Sequence, residues 1–239
     1  MLTSIHGIYQ SSLLTNRKGI FHGFSTRTYG DARVPQNASK ILEVLEVPSI
    51  TLASAQQVHG GKVARVGQSP LRVTPGVDAL VTTAKGLALE VHVADCVPVI
   101  MVDPIAHVVA AIHAGWKGTR DGIVGAAVKE MEAYGAHVKR IVAVIGPHIG
   151  MCCYSVDEER AKLFQDIFHR DPNISSYWGD SWHIDLGYGN RKQLVDAGIS
   201  ADHIDSRVVC TSCQVDSFFS YRKDTKETFG EIIGVIGMK

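Results

Sequence analysis

Apolar runs broken by short glycine- and proline-marked turns dominate the middle of this chain, between residues 78 and 113. Short apolar runs that are bounded by turn signals and rich in β-branched residues are typical of buried β-strands. The pattern predicts strands over Asp78–Thr83, Leu87–Ala94, Val97–Asp103 and His107–His113. Because the connections are short, we expect some of these neighbours to pair antiparallel.

In the second half of the chain, apolar residues recur at the spacing of an α-helix. Apolar residues at helical spacing predict a helix over Asp121–Tyr134, which ends at Gly135. Ser155 and Glu158 match a capping box and predict the start of a second helix. The remaining predictions are a helix over Asn190–Ala197, strands over Ile141–Ile145, Arg207–Cys210 and Glu231–Ile236, and a loop over Pro172–Asp180.

Strands bunched early with helices inserted later predict an α+β fold rather than a doubly wound parallel sheet. A chain of 239 residues is long enough for one large domain or two small ones. The sequence has no internal repeat, no low-complexity linker and no shift in composition that marks a boundary. We therefore expect a single domain over residues 1–239.

Charge and composition exclude several classes of function. Lys and Arg total 24, as do Asp and Glu, so there is no electrostatic reason to expect binding to nucleic acid or an anionic membrane. No uncharged apolar stretch is long enough to span a membrane, and the N-terminus has no secretory-signal pattern. The odd number of cysteines, five, suits a reducing compartment. We expect a cytoplasmic protein and favour a monomer.

His59, Cys96 and His113 lie where strand-like runs give way to turns. Two imidazoles and one thiolate that meet in space would form a three-ligand metal site with an open fourth position, which is the pattern of catalytic rather than structural zinc. The alternative is that Cys96 is a small buried apolar residue and the histidines are hydrogen-bonded loop residues. The presence of all three, with glycine near each histidine, favours a site.

Three further residues, two near these positions and one near the C-terminus, are candidates for supporting the site or contacting a substrate. Asp95 precedes Cys96 and could either orient a ligand by a hydrogen bond or cap the following turn. Lys117, in the glycine-containing stretch AGWKG, is a candidate anion contact or a solvated charge. Arg222 ends the stretch FFSYR, whose aromatic rings could stack on a planar ligand or belong to the core.

Cysteine spacing and absent motifs narrow the chemistry. Cys210 and Cys213 have C-x-x-C spacing, but a zinc ribbon needs a second such pair, which the adjacent Cys152 and Cys153 do not supply. We interpret Cys210 and Cys213 as ordinary residues at a strand-to-loop transition, with a redox pair as the alternative. The sequence has no P-loop, G-x-G-x-x-G, G-x-S-x-G or H-E-x-x-H motif, and no zinc nucleobase deaminase signature.

Six sequence blocks together resemble the YfiH-like family, whose members are described as multicopper polyphenol oxidases (laccase domain) and as purine nucleoside phosphorylases. The resemblance runs from His22 to the C-terminus, and the blocks occur in the family's order. The blocks are HGFSTR (22–27), QVHG (57–60), ADCVPV (94–99), AAIHAGWKG (110–118), IGPHIGMCCYSV (145–156) and CTSC…FFSYRKD (210–224).

The resemblance implies a four-layer α-β-β-α sandwich, similar to the catalytic domain of cytotoxic necrotizing factors. It implies that His59, Cys96 and His113 bind one zinc ion and form the catalytic centre. It also implies phosphorolysis of purine nucleosides, including methylthioadenosine, together with deamination of adenosine. The residues then expected to contact the nucleoside or phosphate are Ser25, Arg27, Lys117 and Arg222.

The chain departs from the family's pattern in three places. The common glycine pair after HGFSTR is Tyr29-Gly30 here, the usual SLNLG-like loop is absent, and Lys117 replaces the arginine of HAGWRG. The first two changes put the substrate range in question, since the missing loop would lie near the entrance of the site. Lys117 keeps a positive charge but loses the planar fork that arginine offers to phosphate.

Other classes of function stay open on the sequence. Cys96 as nucleophile with His113 as base would make a cysteine hydrolase, for example an amidase that edits a peptidoglycan precursor. A zinc-stabilised binding module is a second alternative, although three ligands rather than four disfavour it. A copper oxidase is disfavoured too, because the chain lacks histidines at the paired spacing that several copper ions would need.

Overall fold

The computed structural model describes residues 2–67 and 72–239, and these residues have the mixed α+β fold that the sequence predicts. The helices are α1 (Ser12–Thr15), α2 (Pro35–Val44), α3 (Trp116–Arg120), α4 (Ile123–Ala133), α5 (Glu158–Ile167) and α6 (Leu186–Asp196). The strands are β1 (Leu2–Ile5), β2 (Ile8–Ser11), β3 (Ile20–Phe24), β4 (Thr51–Ala55), β5 (Val63–Arg65), β6 (Val73–Thr74), β7 (Ala79–Thr82), β8 (Leu87–Val93), β9 (Val97–Asp103), β10 (Val108–Ala114), β11 (Val142–Ile145), β12 (Ser155–Val156), β13 (Ser175–Trp178), β14 (Ser181–Ile184), β15 (Ile204–Asp205) and β16 (Ile232–Met238). In the described part of the chain, no helix has the length and apolar character needed to cross a membrane.

Two large sheets and a small one organise these strands. The seven-stranded sheet has the order β1-β2-β3-β16-β8-β4-β6, the six-stranded sheet β15-β11-β9-β10-β7-β5, and the small sheet β12-β14-β13. The pairs β7–β10 and β9–β10 are antiparallel, with Leu80 opposite Ala111 and Val102 opposite Val109. The short connection between β9 and β10 therefore produces the antiparallel pairing that the sequence predicts, whereas β7 and β10 pair although β8 and β9 lie between them in the chain.

Both faces of the six-stranded sheet are buried. Along β9, Val99 and Met101 pack in a cluster with α4 and α6, whereas Ile100 and Val102 pack in a cluster shared with the seven-stranded sheet. This burial explains why β9 is one continuous apolar run instead of an alternating pattern. The other face of the seven-stranded sheet packs against α2 through residues that include Ile41.

The chain passes between the two large sheets in several connections. The segments from β4 to β5, from β6 to β7 and from β8 to β9 each join a strand of one sheet to a strand of the other. The long segment between β15 and β16 does the same. His59, Asp78 and Cys96 all lie in these connections. The crossovers thus carry three of the polar residues that matter for the candidate site described below.

The start of α5 corrects one prediction. The helix begins at Glu158 and is capped by Asp157, whose carboxylate accepts a hydrogen bond from the backbone N–H of Arg160 at 2.7 Å. Ser155 belongs to β12, so the predicted capping box is wrong. A charged carboxylate directly before the helix is a good N-cap, and here it satisfies the N–H of Arg160 rather than the N–H of Glu158 that Ser155 was expected to bind.

Tertiary pairing overrules the sequence pattern in the last third of the chain. The predicted loop Pro172–Asp180 is wrong, because it contains β13, which pairs with β14. The predicted strand Arg207–Cys210 is also wrong: in the described structure only its last residue bridges, to His148. Helix α6 begins at Leu186, before its predicted start, and glycines in its first turns mask the helical pattern.

Candidate active site

Three side chains meet where the connections between the sheets converge. His59 lies between β4 and β5, Cys96 lies between β8 and β9, and His113 lies near the end of β10. Their candidate donor atoms all lie within 4.8 Å of one another. His113 is buried, Cys96 is half-buried and His59 is exposed, so the trio reaches from the core to the surface. The structure thus brings together residues that are far apart in the sequence.

The backbone beside two of these residues is in the left-handed region. His59 has a φ of +58°, and Asp95, which directly precedes Cys96, has a φ of +82°. Residues with a side chain rarely adopt this conformation, and they keep it only where surrounding contacts hold it. At His59 the contacts are clear, because the N–H groups of His59 and Gly60 donate to the Asp78 carboxylate at 2.8 and 2.7 Å.

Asp78 supports the trio from the interior. Its buried carboxylate also forms a hydrogen bond with Nδ1 of His113 at 2.9 Å. Burial alone would raise the pKa of Asp78, but the hydrogen bonds from His113 and from the Gly60 and His59 amides hold the pKa below its usual range. A carboxylate on one ring nitrogen of a histidine leaves the other nitrogen to face a metal. Sequence patterns do not reveal Asp78, because no spacing relates it to His113.

The protonation of Cys96 and His113 is coupled. Burial raises the pKa of the Cys96 thiol, but hydrogen bonds with His113 and His59 outweigh that effect and lower the pKa to about 7. Burial lowers the pKa of His113, but the contacts with Asp78 and Cys96 outweigh it and raise the pKa to about 9. Near neutral pH a large fraction of Cys96 is therefore thiolate beside a protonated His113. A divalent cation would compete with that proton.

The space and the donor set fit a zinc ion. A Cβ atom on Gly115 would lie 3.2 Å from Sγ of Cys96 and 3.2 Å from Cδ2 of His59, so a larger residue would crowd both donors. The rings of His59 and His113 meet edge to face, with centroids 4.7 Å apart. Imidazole nitrogen and thiolate sulfur are the usual zinc ligands, and three protein ligands leave one position for water or substrate.

A cleft of about 490 Å³ has the trio in its wall. Two cationic side chains also line it, each stacked on an aromatic ring: Arg160 at 4.4 Å and Arg222 at 4.9 Å from the ring centroids. The rings of Tyr221 and Phe229 meet edge to face in the same wall, with centroids 5.9 Å apart. The cleft therefore combines flat apolar surfaces with positive charge, which suits a planar base and an anion.

His92 is a titratable side chain that also lines the cleft. Its ring lies between two carboxylates, with Nε2 at 3.5 Å from Glu90 and Nδ1 at 3.6 Å from Glu231. Burial lowers the pKa of His92, but Glu231 and Glu90 outweigh burial and raise the pKa to about 9. Gln57 pairs with both backbone groups of residue 92, at 2.7 and 2.9 Å. A histidine held in this way is protonated at neutral pH and can donate a proton.

Asp95 lines the cleft, but its described hydrogen bonds go to another segment rather than to a candidate ligand. The buried carboxylate accepts hydrogen bonds from Thr211 at 2.6 Å, from Ser220 at 3.0 Å and from the N–H of Arg222 at 2.8 Å. Burial raises the pKa of Asp95 in spite of these bonds. Asp95 directly precedes Cys96, so its hydrogen bonds hold the segment that carries Arg222 close to Cys96.

The other expected substrate contacts lie at different places. Within residues 2–67 and 72–239, Arg222 lines the cleft, whereas Ser25, Arg27 and Lys117 do not. Ser25 is buried, and its hydroxyl accepts a hydrogen bond from the N–H of Ile233 at 3.0 Å. Lys117 is exposed beside a tryptophan ring. Contact of these three residues with substrate stays a prediction.

Arg27 has extensive contacts within the protein. Its guanidinium donates to the carboxylate of Asp224 at 2.7 Å and to the carbonyl of Phe218 at 3.0 Å. It also stacks over Phe219, 4.2 Å from the ring centroid. These contacts connect the start of the chain to the segment that supplies Tyr221 and Arg222 to the cleft.

Comparison with known proteins places the chain among related sequences. Residues 20–239 match the model of the family described as multi-copper polyphenol oxidoreductase laccase. The chain is 34% identical over 226 residues to purine nucleoside phosphorylase YlmD of Geobacillus stearothermophilus, covering 88% of this chain and 81% of the relative. It is 43% identical over 155 residues to adenosine deaminase RL5 of an unknown prokaryotic organism, covering 62% of this chain and 57% of the relative.

Solved structures agree with the fold described above. The crystal structure of YlmD from Geobacillus stearothermophilus has a TM-score of 0.86 at 30% sequence identity, covering 99% of this chain and 98% of that one. The hypothetical protein YfiH from Bacillus licheniformis has a TM-score of 0.87 at 28% identity, covering 100% of this chain and 99% of that one. The similarity thus extends over all the elements that position the trio.

Proposed function

Because the chain belongs to the YfiH-like family of laccase-domain proteins, we propose that it is a zinc-dependent enzyme that processes purine nucleosides. The activities proposed are phosphorolysis of purine nucleosides, including methylthioadenosine, and deamination of adenosine. The observation that carries the proposal is the convergence of His59, Cys96 and His113 in the wall of a nucleoside-sized cleft. Relatives named for both activities support it.

His59, Cys96 and His113 would hold the zinc ion, and Asp78 would orient His113 through its Nδ1 hydrogen bond. When bound, zinc supplies a Lewis acid that polarises a coordinated oxygen. Several copper ions would need more imidazoles than this: in the described residues, the only cluster of candidate ligands besides the trio consists of cysteines. We therefore propose zinc rather than a multicopper centre.

The residues of the cleft wall would bind the two substrates. We propose that Tyr221 and Phe229 contact the purine ring, since flat aromatic surfaces bind planar bases. Arg222 and Arg160 would hold phosphate, because guanidinium groups offer paired donors to phosphate oxygens. Each guanidinium is already held over an aromatic ring, so its side chain loses little conformational freedom when phosphate binds.

The general acid proposed is His92. In phosphorolysis the glycosidic bond breaks and its electron pair moves to the purine, which must accept a proton or a hydrogen bond. The ring of His92 is protonated at neutral pH because Glu90 and Glu231 flank it. In adenosine deamination the departing amine also needs a proton, which the same residue would supply.

The arrangement of the fold in four layers is also our proposal. Three apolar clusters support a four-layer α-β-β-α sandwich like that of cytotoxic necrotizing factors: one between α2 and the seven-stranded sheet, one between the two large sheets, and one between the six-stranded sheet and α4 with α6. The single domain, the monomer and the cytoplasmic location likewise remain predictions.

One observation favours a second function. Cys96, His113 and Asp78 form a chain of hydrogen bonds, which is the arrangement of a cysteine nucleophile, its base and an orienting carboxylate. The pKa of about 7 for Cys96 makes the thiolate available. The alternative function is therefore a Cys96-dependent hydrolase, such as an amidase acting on a peptidoglycan precursor. His59 speaks against it, because a nucleophile and base do not need a third donor.

One experiment separates the two functions. Protein purified without chelator is assayed for zinc content and for phosphate-dependent release of free base from inosine, adenosine and methylthioadenosine, with ammonia release from adenosine measured in parallel. We expect activity that is lost with a chelator and restored by zinc, and a Cys96→Ser variant that loses zinc and activity together. Metal-free protein that is fully active and is inactivated stoichiometrically by an alkylating agent would contradict the role of zinc and indicate that Cys96 is a nucleophile, as the alternative function requires.

A further inference from the structure

Four cysteines form a cluster outside the candidate active site. Cys152 and Cys153 lie in the turn after β11, whereas Cys210 and Cys213 lie in the turn after β15. The four sulfur atoms lie within 4.8 Å of one another, and all four cysteines are free thiols. Cys210 is buried and Cys153 is half-buried, while Cys152 and Cys213 are exposed. The cluster is thus anchored in the protein and open on one side.

The spacing of the sulfur atoms matches coordination of one metal ion. The Sγ–Sγ distances are 3.7 Å for Cys152–Cys210, 3.5 Å for Cys152–Cys213 and 3.4 Å for Cys153–Cys213. Four thiolates around one zinc ion at about 2.3 Å lie about 3.8 Å apart along each edge of the tetrahedron. A disulfide would instead need one pair at about 2.0 Å. We propose that Cys152, Cys153, Cys210 and Cys213 bind a second, structural zinc ion.

The backbone holds the two turns in this arrangement. The N–H of His148 donates to the carbonyl of Val209 at 3.1 Å, and the N–H of Thr211 donates to the carbonyl of His148 at 3.0 Å. The N–H of Gly150 donates to Sγ of Cys210 at 3.2 Å. Such an N–H bond stabilises a sulfur that carries negative charge, as a metal-bound thiolate does.

Gly150 also makes room for the cluster. A Cβ atom at this position would lie 3.2 Å from Sγ of Cys152 and 3.4 Å from Cβ of Cys210. The turn can bring its cysteine sulfur towards the opposite segment only because no side chain stands between them. Gly115 makes room in the same way beside His59 and Cys96.

A single redox pair does not account for the arrangement. Sγ of Cys213 is in contact with the sulfur atoms of both Cys152 and Cys153, and Cys152 is in contact with Cys210 as well. A disulfide joins two of the four and leaves the other two without a reason to converge. A closed set of four thiolates is the usual composition of a structural zinc site.

The second zinc would stabilise one wall of the cleft. The turn with Cys153 continues into Tyr154, which lines the cleft. The turn with Cys210 includes Thr211, whose hydroxyl donates to Asp95 at 2.6 Å, directly beside Cys96. The metal would cross-link these two turns at their outer side. The proposal does not depend on the proposed function, because no residue of the trio takes part in it.

Metal content tests the proposal. We expect about two zinc ions per chain in protein purified under reducing conditions without chelator, and about one in the double variant Cys152→Ser/Cys213→Ser. The matched control is His113→Ala, which should lose the zinc of the trio and keep the other. One zinc per chain that is lost in His113→Ala and retained in the double variant would overturn the proposal while leaving the proposed function intact.

X-ray absorption at the zinc edge gives an independent answer on the unmodified protein, should the cysteine variants fail to fold. Two filled sites average about 2.5 sulfur ligands per zinc, whereas the trio alone gives one. A loaded His113→Ala variant should show four sulfur ligands at about 2.3 Å. Titration with a thiol reagent supplies the last control, because a disulfide within the cluster of protein purified under reducing conditions and without chelator would contradict the proposal.

Discussion

Asp78 is the residue on which the geometry of the candidate metal centre depends. One buried carboxylate accepts the backbone N–H groups of His59 and Gly60 and also binds Nδ1 of His113. The same group therefore holds the left-handed turn at one ligand and the ring orientation of another. Residues that orient a metal ligand by a hydrogen bond commonly raise metal affinity, and their loss weakens it.

We predict that Asp78→Asn lowers zinc affinity about 10- to 100-fold, because an amide cannot orient His113 as a carboxylate does. Affinity is measured by competition with a coloured chelator. The matched control is Asp103→Asn: Asp103 is another fully buried carboxylate that accepts backbone N–H groups, away from the cleft. Both variants should lose stability, and only the first should lose affinity. Equal affinities in the two variants would show that Asp78 is a structural residue only.

His92 sets a pH limit on the proposed chemistry. Its pKa is raised from 6.5 to about 9, so the ring is protonated at neutral pH and loses its proton as the pH rises through about 9. We predict that kcat for phosphorolysis falls above that pH. His92→Gln should remove this limb of the profile and lower kcat about 100-fold or more. A profile whose alkaline limb survives in His92→Gln would assign the acid to another group.

The element that shapes the centre is α3 with its N-terminal glycine. Gly115 lies directly between β10, which carries His113, and the helix that begins at Trp116. A side chain here would contact Cys96 and His59 at distances tighter than ordinary packing. The short connection thus decides how closely the donor atoms approach each other.

We predict that Gly115→Ala reduces zinc binding while the chain stays folded, because the added Cβ pushes the donors of His59 and Cys96 apart. Zinc content after dialysis is the measurement. Gly125→Ala is the matched control, since nothing lies within 4 Å of its Cβ position in α4. That control should keep its zinc and gain up to about 1 kcal/mol of stability from the better helix former. Full zinc occupancy in Gly115→Ala would contradict this account.

The segment before β16 depends on Arg27. The guanidinium binds Asp224, whose carboxylate also accepts the N–H of Ser220 at 2.8 Å. We predict that Arg27→Ala lowers kcat/KM about 10- to 100-fold, which corresponds to loss of a charge-assisted bond of about 1.5–3 kcal/mol. Zinc content should not change, and Arg27→Lys should recover only part of the loss.

The comparison with Asp224→Asn shows how Arg27 acts. If Arg27 positions the segment through Asp224, as its contacts support, kcat/KM of the double variant Arg27→Ala/Asp224→Asn should be no lower than that of Arg27→Ala alone. If it contacts substrate directly, the two losses should add. Full activity of Arg27→Ala on adenosine and inosine would remove both roles.

At the scale of the whole molecule, the two large sheets must pack closely for their connections to meet. Phe24, at the end of β3, is fully buried in the cluster between them. Cβ atoms on Gly146 or Gly234 would collide with its ring, so both glycines accommodate this one side chain. Phe24 is therefore one of the side chains that set the position of the seven-stranded sheet relative to the crossovers.

We predict that Phe24→Ala lowers the free energy of unfolding by about 3–5 kcal/mol, through lost burial and the cavity left behind. Denaturant unfolding followed by circular dichroism measures the change. Ile105→Ala is the control, because this side chain is 68% exposed and its loss should change stability by no more than about 0.5 kcal/mol. A Phe24→Ala change as small as that of the control would show that the packing between the sheets does not depend on this ring.

Prediction from sequence succeeded where local pattern decides the structure. The buried strands of the six-stranded sheet and helix α4 follow from apolar periodicity, because both faces of β9 and one face of α4 are covered. It failed where a distant partner decides. Ser155 pairs as a strand with β14 instead of capping α5, and Ser175–Trp178 is a strand only because β14 lies beside it.

The sequence by itself determined the family, the α+β class and the three residues of the candidate centre, because contiguous motifs and periodicity are properties of short segments. Only the tertiary structure decided that Asp78 supports His113, that His92 lies between two carboxylates, and that Cys152 meets Cys213. The physical reason is that at least one partner in each set comes from a distant segment: Asp78 for His113, Glu231 for His92, and Cys213 for Cys152. Their separation depends on strand pairing and packing between elements, which no spacing along the chain records.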